Sequence, residues 1–316
     1  MGAPIGGPGR TFSIWSIFTI AVAVLGDFTA TALGFASLAG VDERSRCDVG
    51  ADGNVAYAES VSEKGMRMVS RDAIRAETIT ITGHGGDEIE AYCAVPLASG
   101  SRGGVVWIHH MPGYDRETKE FVRRLAVSGY HAVCPNLYSR EAPGADPDDA
   151  AATVRAAGGV PDNRLVGDVA GAAQHLGNLD GANGKTGVIG HCSGGRQAFL
   201  AACSLQLDAA VDCYGAFVVE DPPEGMPASM KPILGLAPEL SCPLLGLFGK
   251  DDRYPSREAV AKLDAELNRL GKDHEFHSYD GAGHSFFSVD RPAYRVEAAL
   301  DGWRRIDDFF AKHLEG

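Results

Sequence analysis

Two hydrophobic periods alternate along the chain from about residue 74 onward. Continuous or period-two apolar runs predict strands, and apolar positions at helical spacing predict the helices between them. The predicted strands are 76–82, 88–95, 104–109, 130–134, 185–190, 209–214, 243–248 and 275–279. The predicted helices are 116–127, 163–179, one that begins near 197, 256–270 and 297–314, with a loop over 135–149.

This alternation predicts an α/β fold with a mainly parallel central sheet flanked by helices on both faces. The glycines at 83, 85 and 86 suit a hairpin that makes the first two strands antiparallel. About six parallel strands then follow. We therefore expect one domain, residues 74–316, to carry the chemistry.

Residues 1–73 form a separate segment whose pattern fits several interpretations. Residues 11–26 are apolar and uncharged, and Ala30-Thr31-Ala32 resembles a cleavage site, as in a signal peptide. An anchor within residues 11–40 is a rival, although Asp27 would be costly in a bilayer. A disordered leader or linker, or a packed N-terminal helix, also fits, and the biological start could lie at Met66 or Met68.

Charge and cysteine content narrow the class of protein. The 316 residues carry a net charge of −13, which disfavours nucleic acid as a partner because phosphate backbones would be repelled. The seven cysteines are widely spaced without a C-x-x-C pair, so they give no support to a cysteine zinc site. Free, mostly buried thiols favour a cytoplasmic location, with export or anchoring through residues 11–40 as the alternative.

The segment Gly190-His191-Cys192-Ser193-Gly194-Gly195 lies between a predicted buried strand and a predicted helix. It fits the G-x-nucleophile-x-G elbow, in which a strained turn lifts the central side chain above the sheet. The helix N-terminus favours a thiolate, and the Ser193 N–H would face an oxyanion. A glycine-rich turn with a buried cysteine is the plainer alternative.

An acid and a histidine follow Cys192 in the order that this elbow fold requires. Asp251 and Asp252 come directly after the strand 243–248, at the edge where an active site forms, and either can orient a histidine. His284 lies in a glycine-flanked loop after the last strand and is the predicted base.

Together these segments resemble the dienelactone hydrolase (carboxymethylenebutenolidase) family of the α/β-hydrolase fold, over about residues 74–314. Its aspartate followed four residues later by proline matches Asp251 and Pro255, which favours Asp251 over Asp252. Its A-G-H-x-F loop matches the residues around His284. The segment 134–144 is also similar, and the resemblance implies substrate contacts by Tyr138 and by Arg140, the latter as a clamp for a carboxylate.

Two positions depart from the family pattern. His110 stands where the family has a glutamate that activates the cysteine, and it is predicted to contact the thiolate or substrate. The N–H of Met111 would still be the second oxyanion donor. Ser288 stands where the family has a second arginine, and Arg291 is the nearest candidate to replace it.

The resulting hypothesis is a hydrolase that opens a small lactone or ester, with or without a carboxylate substituent, through a thioester on Cys192. No metal or organic cofactor is implied, and the protein is expected to be a monomer or homodimer. Two alternatives stay open: a cyclase or acyltransferase that passes the thioester to another acceptor, and a non-catalytic ligand-binding protein on the same fold.

Overall fold

The computed structural model describes residues 73–227 and 229–315. The predictions for residues 1–72 therefore lie outside the described residues. The strands are β1 (Ile74–Thr82), β2 (Glu88–Pro96), β3 (Arg102–Ile108), β4 (His131–Pro135), β5 (Ala182–His191), β6 (Ala209–Cys213), β7 (Leu244–Gly249) and β8 (His274–Tyr279). The helices are α1 (Arg116–Val127), α2 (Pro147–Ala156), α3 (Asp162–Gly177), α4 (Ser193–Ala202), α5 (Arg257–Leu270) and α6 (Val296–Leu314).

The strands form a single eight-stranded sheet in the order β1-β2-β4-β3-β5-β6-β7-β8. β1 and β2 pair antiparallel, as do β2 and β4, whereas the strands from β3 to β8 run parallel to one another. The predicted fold, an antiparallel pair followed by six parallel strands, is thereby confirmed. The carboxyl ends of the parallel strands meet at one edge, where a ligand site is expected.

Helices cover both faces of the sheet, and alternate side chains of each strand enter different cores. Val106 and Ile108 of β3 belong to the core that includes side chains of α3, α4 and α5, and Val105 and Trp107 belong to the core that includes side chains of α1 and α6. A strand with apolar side chains on both faces is a continuous apolar run in the sequence, which explains why β3 could be predicted.

Helix α2 was not predicted from the sequence: its first three residues lie in the predicted loop over 135–149, and no helix was predicted for the remainder. α2 begins at Pro147, and proline is favoured in the first turn of a helix because it has no N–H to leave unpaired. The six cysteines in the described part of the chain are all free thiols. None of the helices in that part is both long and apolar enough to cross a bilayer.

Candidate active site

Cys192 lies on a sharp turn between β5 and α4, with φ 57° and ψ −127°. Positive φ is unfavourable for a residue with a Cβ and stores strain on the order of 1–3 kcal/mol. Gly190 and Gly194 permit the close crossing, because a Cβ on either would lie 2.2 or 2.3 Å from a backbone oxygen. The turn brings the half-buried thiol to the edge of the sheet, above the N-terminus of α4.

His284 lies beside the Cys192 thiol and contacts a carboxylate. Its Nδ1 lies 2.8 Å from Oδ2 of Asp252, whose side chain is 2% exposed. The prediction that Asp251 is the acid partner is therefore wrong. The Asp251 side chain is 57% exposed and pairs with Arg257 at 3.2 Å, because the turn after β7 directs adjacent side chains to opposite sides.

The electrostatics of Cys192 and His284 favour a thiolate–imidazolium pair. Burial alone would raise the pKa of the Cys192 thiol, but His284, His110 and the Ser193 N–H together outweigh burial and lower it. Burial likewise acts to lower the pKa of His284, whereas the Cys192 thiolate and Asp252 raise it to about 10. A thiolate is the nucleophilic form of cysteine, so this pair suits attack on a carbonyl.

The two predicted oxyanion donors lie at the same end of the site as the thiol. Ser193 is the first residue of α4, and Met111 and Ser193 both line the cavity that contains Cys192. Tyr138, a predicted substrate contact, is not among the lining residues. Its hydroxyl instead donates a 2.9 Å hydrogen bond to the Met111 carbonyl, so it holds the loop that carries the predicted donor.

The cavity above Cys192 and His284 has a volume of about 460 Å³. Most of its wall is apolar, formed by Met111, Ala216, Phe217, Pro223, Met226 and Met230. Its charged lining residues, apart from the catalytic candidates, are Asp251 and Arg253. The cavity therefore suits a small substrate with an apolar acyl part, with one guanidinium at its edge.

Arg140 does not serve as a free anion clamp. Its guanidinium forms a bidentate pair with the fully buried carboxylate of Asp168, at 2.8 and 2.9 Å, and its Nε lies 2.7 Å from Asp87. A buried carboxylate needs such a partner, so the arginine is committed to fixing α3 against the loop after β4. The predicted substrate role of Arg140 is therefore wrong for this conformation.

His110 and Arg291, the other predicted substrate contacts, also lie outside the cavity lining. His110 is 3% exposed and contacts Asp115 at 2.7 Å and His191 at 3.1 Å. Arg291 is exposed, and its charge contributes, after burial and His110, to lowering the pKa of His191.

The sequence of this chain is also similar to those of known proteins. The family model for the dienelactone hydrolase family matches residues 89–314, most of the chain. The chain belongs to the dienelactone hydrolase family. The family and hydrolase class predicted from the sequence are thereby confirmed.

Two relatives and one solved structure that are similar to this chain carry names from the same family. "Putative carboxymethylenebutenolidase" of Salmonella typhimurium is 34% identical over 234 residues, covering 72% of this chain and 84% of the relative. Carboxymethylenebutenolidase of Pseudomonas putida is 31% identical over 247 residues, covering 73% and 94%. The crystal structure of "Putative Dienelactone Hydrolase from Klebsiella pneumoniae" has a TM-score of 0.68 and 29% identity, covering 77% of this chain and 100% of that one.

Several residues of this chain around the elbow were not predicted from the sequence. Arg253, not Arg140, is the guanidinium at the cavity, and its position two residues after Asp251 was the available signal. Asp115, Glu117 and His191 surround His110 behind the elbow. They had no common sequence signal, because they come from segments that only the fold brings together.

Proposed function

We propose that this hydrolase opens small lactones or carboxylic esters with a Cys192–His284–Asp252 triad and a thioester intermediate. One observation carries the proposal: His284 bonds the buried Asp252 carboxylate and lies beside the Cys192 thiol, and all three residues line one mostly apolar cavity. A nucleophile, a base and an acid that orients the base are the parts that acyl transfer needs.

In the proposed first step, the Cys192 thiolate attacks the carbonyl carbon and forms a C–S bond. The oxyanion accepts hydrogen bonds from the N–H groups of Met111 and Ser193, each worth roughly 3–4 kcal/mol in comparable sites. The C–O bond then breaks, and the leaving oxygen takes a proton from His284. The product of this step is a thioester and a free hydroxyl or enol.

In the second step, His284 takes a proton from water, and the water oxygen attacks the thioester carbonyl. The C–S bond breaks, the acid is released and the Cys192 thiolate is regenerated. Asp252 keeps the His284 ring oriented through both steps and stabilises its positive charge. This sequence favours substrates whose leaving oxygen is already stable, such as enols.

The mostly apolar cavity supports a substrate with a small apolar acyl part. An anionic substituent, where the substrate has one, would meet Arg253, which has no carboxylate partner within the described residues and stacks on Tyr254 at 5.3 Å. We also retain the cytoplasmic location as part of the proposal, supported by the six free thiols of the described part.

The test is turnover of p-nitrophenyl acetate and a panel of small lactones by the full chain and by Cys192→Ala. We expect Cys192→Ala to lose at least about a thousandfold in kcat/KM. In ¹⁸O-labelled water, hydrolysis places one labelled oxygen in the acid, whereas transfer to another acceptor places none. Equal turnover by both proteins, or unlabelled product, would overturn the proposal.

A further inference from the structure

Two imidazoles and a carboxylate converge behind the elbow, outside the substrate cavity. His110 follows β3, Glu117 lies in the first turn of α1, and His191 ends β5. His110 Nδ1 lies 3.1 Å from His191 Nε2, and that nitrogen lies 3.8 Å from Glu117 Oε2. The three side chains are only 3%, 8% and 1% exposed, in sequence order.

Neighbouring groups hold two of these side chains, those of His110 and Glu117, in the orientation that a metal ligand needs. Asp115 Oδ2 lies 2.7 Å from His110 Nε2, so the proton belongs on that nitrogen and Nδ1 presents a lone pair to the cluster. The Ser288 hydroxyl donates a 3.1 Å hydrogen bond to Glu117 Oε2. A carboxylate behind a histidine is the usual outer support of a metal-bound imidazole.

The buried carboxylate of this cluster is only partly satisfied by its neighbours. Glu117 Oε1 is buried, with no hydrogen-bond partner among the described residues. A hydrogen bond between His110 and His191 explains their 3.1 Å separation but leaves that oxygen unpaired, at an energetic cost. A dication bound by two neutral imidazoles would balance the two carboxylates, Asp115 and Glu117.

The spacing also suits coordination. Ligand atoms about 2.0–2.1 Å from a tetrahedral metal lie roughly 3.3 Å apart, close to the His110–His191 separation. All three ligand atoms already lie within 4.8 Å of one another, so a small movement of the Glu117 carboxylate would complete the set. Two imidazoles and a carboxylate are a donor set for Zn²⁺ and related divalent transition metals.

We propose that His110, Glu117 and His191 form a buried binding site for a divalent transition metal ion of the Zn²⁺ class. No cysteine pattern announces this site, which is why the sequence implied no metal. A separate cleft of about 850 Å³ has Glu117, Phe121 and Trp303 in its wall, so it reaches one of the three ligands from the surface. The role of the ion is positional, because His110 directly precedes Met111 and His191 directly precedes Cys192.

The test measures Zn²⁺ binding by the full chain carrying Cys192→Ala, so that neither the catalytic thiol nor turnover enters the result. After Zn²⁺ loading and removal of loosely bound ion, elemental analysis should give about one equivalent per chain. Zn²⁺ should also raise the thermal midpoint. Adding Glu117→Gln, which keeps the Ser288 contact, should weaken binding at least tenfold, and Asp115→Asn about 10–100-fold.

Glu120→Gln, an exposed position one turn further along α1, is the matched control and should bind as the parent does. Less than about 0.1 equivalent in the folded parent, or equal affinity with and without Glu117→Gln, would overturn the site. X-ray absorption of the Zn²⁺-loaded parent tests the site without any variant that could misfold. It should show nitrogen and oxygen ligands with imidazole scattering, whereas sulfur ligands would overturn the assignment.

Discussion

His284 Nδ1 and Asp252 Oδ2 lie 2.8 Å apart, and this contact decides which of two adjacent aspartates can orient the base. Oδ1 of Asp252 also accepts the Tyr254 N–H at 2.8 Å, so the carboxylate is held at both oxygens. Asp251, by contrast, points outward to Arg257. The carboxylate proposed to orient His284 therefore has fixed geometry, whereas its neighbour contributes a surface ion pair.

Asp252→Asn is expected to lower kcat/KM for a small ester by about 10²–10⁴, because the His284 ring loses its acceptor and its charge stabilisation. Asp251→Asn is the matched change one residue away and should stay within a few-fold of the parent. Steady-state kinetics on p-nitrophenyl acetate measures both. A larger loss in Asp251→Asn than in Asp252→Asn would contradict the assignment.

Alkylation of Cys192 by iodoacetamide should persist well below pH 9.0, the ordinary value for this thiol, because its pKa is lowered by His284 against the effect of burial. In His284→Ala the effect of burial on the Cys192 pKa is less opposed, so that pKa and the pH at half-maximal alkylation rate should both rise. Intact-mass measurement across a pH series reports the rate, with Cys192→Ala as the blank. His175→Ala, a change in α3 away from the site, should leave the profile unchanged. An identical profile in His284→Ala would refute the pairing.

Arg140→Ala should act on stability and leave substrate choice unaltered. It removes the partner of the fully buried Asp168 carboxylate, and the expected loss is roughly 2–4 kcal/mol in the free energy of unfolding. Asp87→Asn breaks only the more exposed contact of the same arginine and should cost about 1 kcal/mol or less. Urea denaturation gives both values. A changed preference for carboxylate-bearing esters with unchanged stability would instead restore the clamp.

Arg253→Gln should lower kcat/KM for an ester that bears a carboxylate by about five- to tenfold relative to a neutral ester of similar size. The reason is that Arg253 carries the guanidinium among the described residues that line the cavity containing Cys192. Arg257→Gln, in the same turn but paired with Asp251, should leave that ratio unchanged. The comparison needs only the two substrates and three proteins, and equal ratios in all three would exclude Arg253 as a selectivity residue.

Asp212→Asn should make the protein relatively more stable as the pH rises. Burial raises the pKa of Asp212 to about 7 in the folded protein from an ordinary 3.8, so the folded state holds an extra proton between these values. The stability of the parent therefore falls as the pH rises from about 4 to about 7. The uncharged variant escapes this loss.

The measurement is the free energy of unfolding at pH 5 and pH 8 for the parent and Asp212→Asn. The difference, variant minus parent, should increase by roughly 1–3 kcal/mol between the two conditions. Asp280→Asn removes a carboxylate whose side chain is 84% exposed and should show a nearly constant difference. A difference for Asp212→Asn that does not change with pH would argue against a buried, protonated carboxyl.

The chain's local patterns determined its fold and the position of the turn that carries Cys192. A strand such as β3 is apolar on both faces and α1 is apolar on one, so their periods differ and can be recognised along the sequence. The elbow around Cys192 is equally local, because the glycines that permit its turn are within two residues of it. The position of His284 after the last strand followed from the order of the segments.

The tertiary structure alone decided which side chains meet. Asp251 and Asp252 are chemically equivalent in sequence, and only the direction of the turn after β7 selects Asp252. Arg140 contacts Asp168 in α3, and His110 lies close to Glu117 in α1 and His191 in β5. Such contacts depend on side-chain directions and on atoms of distant segments coming within 2.8–3.1 Å of each other, which hydrophobic periodicity does not specify.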